Sequence, residues 1–417
     1  MIDHVIRRAR LGRELRDIGI GSGRIVAIEP TLVCDAPETD AGGCLVCGGL
    51  VETHIHLDKT CILDRCAVSE GSVAEAVRLT SRAKQDFTAE DVYARGARTL
   101  QRCLSHGTTR MRTHVELDPG IGLRGLEGVE QLARDFAWGM ALQICVFPQE
   151  GMLNNPGTEE LLIEGLKRGA QVIGAVPYID TDPRGQIDRI FEIARDFDVD
   201  IDMHLDMGDT PDGMQALYVA QKTQQFGWGG RVSIGHVTQM SVLPGPAFDT
   251  LARQLGDAGV TVAVLPSTDL FLVGRSRDHA KPRCVVEPQR LLAQGCDCTI
   301  STNNVLNPFT PYGDGSLVRM ANLAANVAQI SRPAELAECF AMISTRSARA
   351  LRLADYGVAV GNPADLVAFD APDAASVVAE LAQALWGMKA GRPSFSRPRP
   401  MVFAPDGACA TASSSAV

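Results

Sequence analysis

The stretch Thr53-His54-Ile55-His56-Leu57-Asp58-Lys59 places two imidazoles two residues apart. It follows the apolar run Cys44-Leu45-Val46-Cys47-Gly48-Gly49-Leu50-Val51, which reads as a buried strand. Side chains two apart on a strand leave the same face, so His54 and His56 can aim at one point. A single metal ion is the occupant that neutral imidazoles suit. Two histidines alone also occur as hydrogen-bonded core residues; what separates this pair from that reading is where the other histidines fall.

Eight short apolar stretches, each running into polar residues, recur along the chain, at 49–58, 108–117, 140–149, 172–180, 199–207, 231–239, 260–269 and 297–305. Amphipathic helices are predicted between most of them, for instance over 89–106, 159–168, 185–197 and 288–294. Strands alternating with helices in this number predict an α/β chain closed into a parallel (β/α)8 TIM-like barrel over residues 49–355. Chemistry in such barrels sits at the carboxyl ends of the strands. Those ends hold His54 and His56, His114, Gln149, Asp180, His204 with Asp206, His236, Asp269, and Asn303 with Asn304. Five of the eight histidines are among them, whereas core filling would scatter histidines as His106 and His279 are scattered.

His54, His56 and His204 then form a three-ligand set of the kind that leaves a position open for water, and a bound Zn or Fe ion brings the pKa of that water towards neutrality. His236 is placed to hydrogen-bond the water or the substrate. His114 reads as a structural histidine.

Outside the barrel the chain offers short strands at 14–20 and 24–28 around the turn Gly21-Ser22-Gly23, too little to fold alone. Strand character returns at 364–369, and 401–403 adds a candidate edge. Residues 1–48 and 356–417 are therefore expected to build one small discontinuous β module, with an Ala/Ser-rich frayed tail from 409 to 417.

The chain is 45% hydrophobic and 22% charged over 417 residues, the balance of a soluble globular protein. No apolar run reaches the roughly 18 to 20 residues that span a bilayer. With no secretory pattern at the start and twelve scattered cysteines, the expectation is a cytoplasmic protein with reduced thiols. A net charge of -10 argues against nucleic acid and anionic membrane as partners and favours a small neutral or cationic substrate. A homo-oligomer is left open. Glycine-rich phosphate loops and nucleophile elbows are absent from the sequence.

Taken together with Arg112-Thr113-His114-Val115, Phe147-Pro148-Gln149-Glu150-Gly151, Asp202-Met203-His204-Leu205-Asp206, Gly235-His236-Val237-Thr238 and Asn307-Pro308-Phe309-Thr310-Pro311-Tyr312-Gly313, the opening motif resembles the cytosine deaminase branch of the amidohydrolase superfamily. The likeness runs from about residue 23 to 391 and includes 344–351 and 361–366. It implies one divalent metal ion, hydrolysis of a C–N bond of a small nitrogen heterocycle, and a Gln149 that binds the ring. Lys59, directly after the HxHLD run, is similar to the variant in N-isopropylammelide aminohydrolase-like members and joins Met207 as a substrate-binding candidate.

Two positions depart from that pattern. The branch has a ring-protonating Glu where this chain has Met207, and a metal-binding, proton-accepting Asp where it has Asn303. Asn303 can ligate through its carbonyl oxygen but brings no charge, and neither side chain shuttles protons near neutral pH. Three readings follow. A hydrolase could route its protons through His236, Asp206 or Asp314; a degenerate barrel could bind a small molecule or a partner protein without catalysis; or Asp314 or Asp269 could fill the carboxylate role. In the first of these, cytosine itself is expected to be a poor substrate.

Overall fold

The structure is a computed structural model that describes residues 1–403 and the backbone of Cys409–Ala410. Eight parallel strands, Leu50–Ile55, Thr108–Glu116, Ala141–Phe147, Val172–Ala175, Asp200–Leu205, Val232–His236, Val260–Val264 and Cys298–Ile300, pair with their neighbours in chain order. Every residue of the first and fifth is buried, as expected where helices cover the outside and side chains fill the inside. The ring closes at Asn303, whose N–H donates to the His54 carbonyl at 2.8 Å and whose carbonyl accepts from the His56 N–H at 2.9 Å. The chain is thus a (β/α)8 barrel.

Local chemistry starts the helices where the sequence places them. Thr88 caps Ala89–Ser105 by accepting from the Asp91 N–H, and Asp182 does the same for Pro183–Phe197 from Gly185, with Pro183 in the first turn. Helix Ala89–Ser105 buries Val92, Gly96, Leu100, Cys103 and Leu104, a helical stripe turned to the barrel. The strands end earlier than the apolar runs suggest. Pro266 opens a short helix, Pro266–Leu272, so Asp269 stands on a helix beyond the seventh strand rather than at its tip.

Both chain ends share one further sheet. Strand Leu45–Gly48 runs antiparallel to Leu366–Phe369, which continues into Ala384–Lys389 and Arg392–Ser396; on the other side lie His4–Leu11, Glu14–Gly21 and Arg24–Glu29. Ile6, Ile18, Ile20, Ile25, Val46, Leu366 and Met388 give this module its own core. The segment Val402–Phe403, read from sequence as a module edge, pairs instead with Cys409–Ala410 in a separate two-stranded ladder. The tail expected to fray lies outside the described residues apart from the backbone of Cys409–Ala410. Among the described residues the cysteines are free thiols and no helix is long and apolar enough to cross a membrane.

Asp365 joins the two units. Its carboxylate accepts from barrel Arg110 at 3.0 Å, from module Lys389 at 2.5 Å and from the Ala390 N–H at 2.9 Å, while its carbonyl accepts from Gly49 N–H at 2.9 Å. Asp365→Ala would strand the Lys389 ammonium, which is 9% exposed. The expected loss is about 3 to 5 kcal/mol, read as a lowered urea midpoint; an unchanged midpoint would show that the junction does not depend on this clamp.

Candidate active site

Alternation along the first strand turns Glu52, His54 and His56 into the barrel, and the same alternation turns in Asp202 and His204 from the fifth. His204 Nε2 lies 3.1 Å from His54 Nε2 and 3.1 Å from His56 Nε2. Their three Nδ1 atoms are buried without a hydrogen-bond partner among the described residues. Imidazole nitrogens at this spacing are close to what two ligands leave when each is about 2.0 to 2.1 Å from a shared tetrahedral ion. Burial pushes His54 down to about 3 and holds His56 and His204 well below the usual histidine range, so all three stay neutral and able to ligate. The donor set fits a divalent ion. Gly235 makes room for the His54 ring, since a Cβ there would stand 3.2 Å from its Cε1.

His114, read from sequence as structural, belongs to this cluster. Its ring stacks on His54 with centroids 3.9 Å apart, and a nitrogen of each of His54, His114 and His204 falls within 4.8 Å of the others. His114 Nε2, however, faces Asp202 Oδ1 at 3.4 Å, and the same oxygen is 3.6 Å from His54 Nδ1. His114 therefore stands behind His54, whereas His56 offers its Nε2 directly to His204. Arg112 anchors Asp202 at 2.8 Å. Burial alone would raise this carboxylate; His114, His54 and Arg112 hold it well below the usual range. A carboxylate on the far nitrogen of a ligating histidine fixes the ring and raises its basicity.

The opposite wall carries His236. Its Nδ1 is 2.6 Å from Asp269 Oδ1, and its Nε2 faces Asn303 Nδ2 at 3.5 Å. A row of amides settles which nitrogen holds the hydrogen. Backbone N–H groups of Phe309 and Thr310 donate to Asn307 Oδ1, Asn307 Nδ2 to Asn304 Oδ1 at 2.7 Å, and Asn304 Nδ2 to Asn303 Oδ1 at 2.8 Å. Asn303 is left with an N–H to offer, so His236 Nε2 is the acceptor and Nδ1–H donates to Asp269. Burial pushes the Asp269 carboxyl up while His236 draws it down. Backbone strain gathers at the same rim: His236 at φ 71°, Val237 at 48°, Asn303 at 62° and Asp206 at 49° all occupy the left-handed region.

The remaining candidates divide. Lys59, Gln149, Met207 and Asn303 line a cavity of about 10 Å³ beside His56, His204 and His236. Asp206 does not: its carboxylate accepts the Gln215 and Ala216 N–H groups at 2.8 and 2.9 Å, at the start of helix Ala216–Phe226, and burial pushes it up to about 6. Asp314 is half-exposed and faces His106 at 3.8 Å, away from the cavity. Asp180 accepts backbone N–H groups of Met152, Leu153 and Asn154. Sequence reading passed over Asp202 and Glu116, although each lies two residues from a strand-end histidine and so shares its face. Tyr178, Thr268 and Phe309 also line the cavity from beyond the strands, where no periodicity marks them.

N-isopropylammelide isopropyl amidohydrolase of Pseudomonas sp. (strain ADP) is 26% identical over 94% of this chain and 96% of its own length. Pterin deaminase of Rhizobium rhizogenes is 26% identical over 85% of this chain and 82% of its own. The crystal structure of 5-methylcytosine deaminase from Klebsiella pneumoniae liganded with 5-fluorocytosine is 27% identical and superposes with a TM-score of 0.92, covering 96% of this chain and 100% of that one. Residues 79–395 match the Amidohydrolase family, and the chain belongs to it.

Proposed function

We propose that this protein is a metal-dependent hydrolase that breaks a C–N bond in or on a small nitrogen heterocycle. The observation that carries the reading is that the buried Nε2 atoms of His54 and His56 each lie 3.1 Å from that of His204, opposite a histidine tied to a buried carboxylate. It is supported by relatives named for heterocycles, N-isopropylammelide, pterin and 5-methylcytosine. His54, His56 and His204 hold the ion, with Asn303 Oδ1 as a neutral fourth candidate that already accepts from Asn304. When bound there, a divalent ion supplies an acidified water as nucleophile.

His236 takes the proton at Nε2 and returns it to the departing nitrogen, while Asp269 keeps the ring turned and stabilises the charge that the ring acquires. Lys59 and Gln149 hold the heterocycle. Met207, whose sulfur receives the Tyr178 hydroxyl at 3.7 Å, replaces the acid that cytosine would need and makes that wall apolar. The cavity of about 10 Å³ has room for about one water, less than a ring occupies. A purely binding role leaves unexplained why a proton carrier and its carboxylate stand opposite three converging imidazoles.

His56→Ala should remove most of the bound divalent ion, because two neutral ligands hold it poorly. Elemental analysis of purified protein reads this directly, and unchanged stoichiometry would count against the site. Asp269→Asn tests the proton carrier: an amide can offer Nδ1 a hydrogen and so favour the other tautomer. The expected outcome is a fall in kcat of about 10² to 10⁴-fold with little change in KM, melting temperature or metal content. An unchanged kcat, on any amino-substituted pyrimidine, triazine or pterin that a screen finds to be turned over, would remove Asp269 from the mechanism.

A further inference from the structure

We propose that the site binds its heterocycle through an edge that carries hydrogen-bond acceptors only, an oxo-substituted ring whose facing nitrogen has lost its hydrogen. The inference rests on the hydrolase reading for the identity of the site, and on Lys59 and Gln149 for the edge.

An ammonium only donates. The Gln149 atom 2.8 Å from Lys59 Nζ is therefore the amide oxygen, which leaves the Nε2 hydrogens as what Gln149 can show a ligand. Lys59 gives a second hydrogen to Glu116 Oε1 at 2.6 Å, and its third has no protein acceptor among the described residues. Glu116 is pinned in turn by Lys84 at 3.2 Å, and by the Asp58 carboxylate that accepts its backbone N–H at 2.8 Å. The Phe309 and Phe147 rings flank the Lys59 ammonium at 4.6 and 5.3 Å. Lys59 is thus held where it occupies the Gln149 oxygen.

No carboxylate lines the cavity among the described residues. A neutral lactam N–H brought to this end would meet N–H against N–H, with a buried donor left unpaired on each side. An ionised imide nitrogen flanked by carbonyls offers an acceptor to each hydrogen, and hydrogen bonds to charged groups are the stronger kind. The whole-chain charge of -10 suggested a neutral or cationic substrate. A bound ring meets Lys59 first, while distant surface carboxylates are screened by salt. Gln149 is the residue that determines specificity, Lys59 decides which end of its amide is shown, and Glu116 positions Lys59.

The test is calorimetric titration of the metal-loaded protein with 6-azauracil and with uracil, rings of nearly the same shape, at a mildly alkaline pH where the first is ionised at its imide nitrogen and the second is not. Wild type is expected to bind 6-azauracil more tightly by roughly 10-fold or more, the effect of about one hydrogen bond to a charged group. Gln149→Glu keeps an oxygen for Lys59 but replaces the donor with an acceptor, and should abolish that preference with circular dichroism and metal content unchanged. Lys59→Met, which frees the Gln149 oxygen, should weaken the preference as well and serves if the first variant does not fold. Equal binding, a preference for uracil, binding of neither ring, or a preference that survives in a folded variant would overturn the proposal. Neither probe carries an amine to lose. Absence of turnover in a heterocycle screen would therefore sink the hydrolase reading without touching this one.

Discussion

Two backbone hydrogen bonds at Asn303 close the barrel, and the site exists because they do. The Asn303 peptide sits between the peptides of His54 and His56, accepting from one and donating to the other. A slip of one residue there would turn the opposite set of first-strand side chains inward. Glu52 reinforces the register from below: its carboxyl accepts the N–H of His54 at 3.1 Å and that of Thr302 at 3.2 Å, tying the same two segments. Burial pushes that carboxyl up to about 7, against the hydrogen bonds from His54 and Thr302 that draw it down.

The interior beneath the site is unusually charged for a barrel core. Arg112 with Asp202, and Lys59 and Lys84 with Glu116 and Asp118, are almost wholly buried. Ion pairs in such places roughly break even against apolar packing, and often do worse. What they supply is orientation. Asp202 sets its charge against His54 and His114, and Glu116 fixes Lys59, which in turn fixes the Gln149 amide. Lys59 and Gln149 at the cavity are therefore held from behind by a carboxylate whose own cations lie within the barrel wall.

The architecture was legible in the sequence because both-face burial makes parallel strands read as continuous apolar runs, and the four quoted helices carry start signals or periodicity of their own. Strand-end histidines were legible for the same reason: they follow directly on those runs. The limits fell where the chain leaves the strand. Asp206 lies two residues beyond His204 and looks inward by alternation, yet the left-handed turn at its own φ of 49° sends its carboxylate to the next helix. Asp269 sits beyond Pro266, on a helix whose direction no periodicity reveals. Tyr178, Thr268 and Phe309 reach the cavity through tertiary folding alone. The net charge counts the surface and so says little about the cavity, which is walled by Lys59, amides and imidazoles.

Asn303 and Asp269 are best understood as one arrangement. An aspartate at 303 could not donate; as a carboxylate it would accept, and His236 would need its hydrogen on Nε2 to answer it. Asparagine has a hydrogen to give, and the amide row from the Phe309 and Thr310 peptides leaves it pointing at Nε2. That forces the imidazole hydrogen onto Nδ1, where only a good acceptor can satisfy it in a buried site. Asp269, with no exposed surface, is that acceptor at 2.6 Å. The negative charge missing from the eighth strand is thus present two elements earlier in the chain, on the far side of His236. In that position it meets His236 Nδ1 and adds no charge to the cluster of His54, His56 and His204.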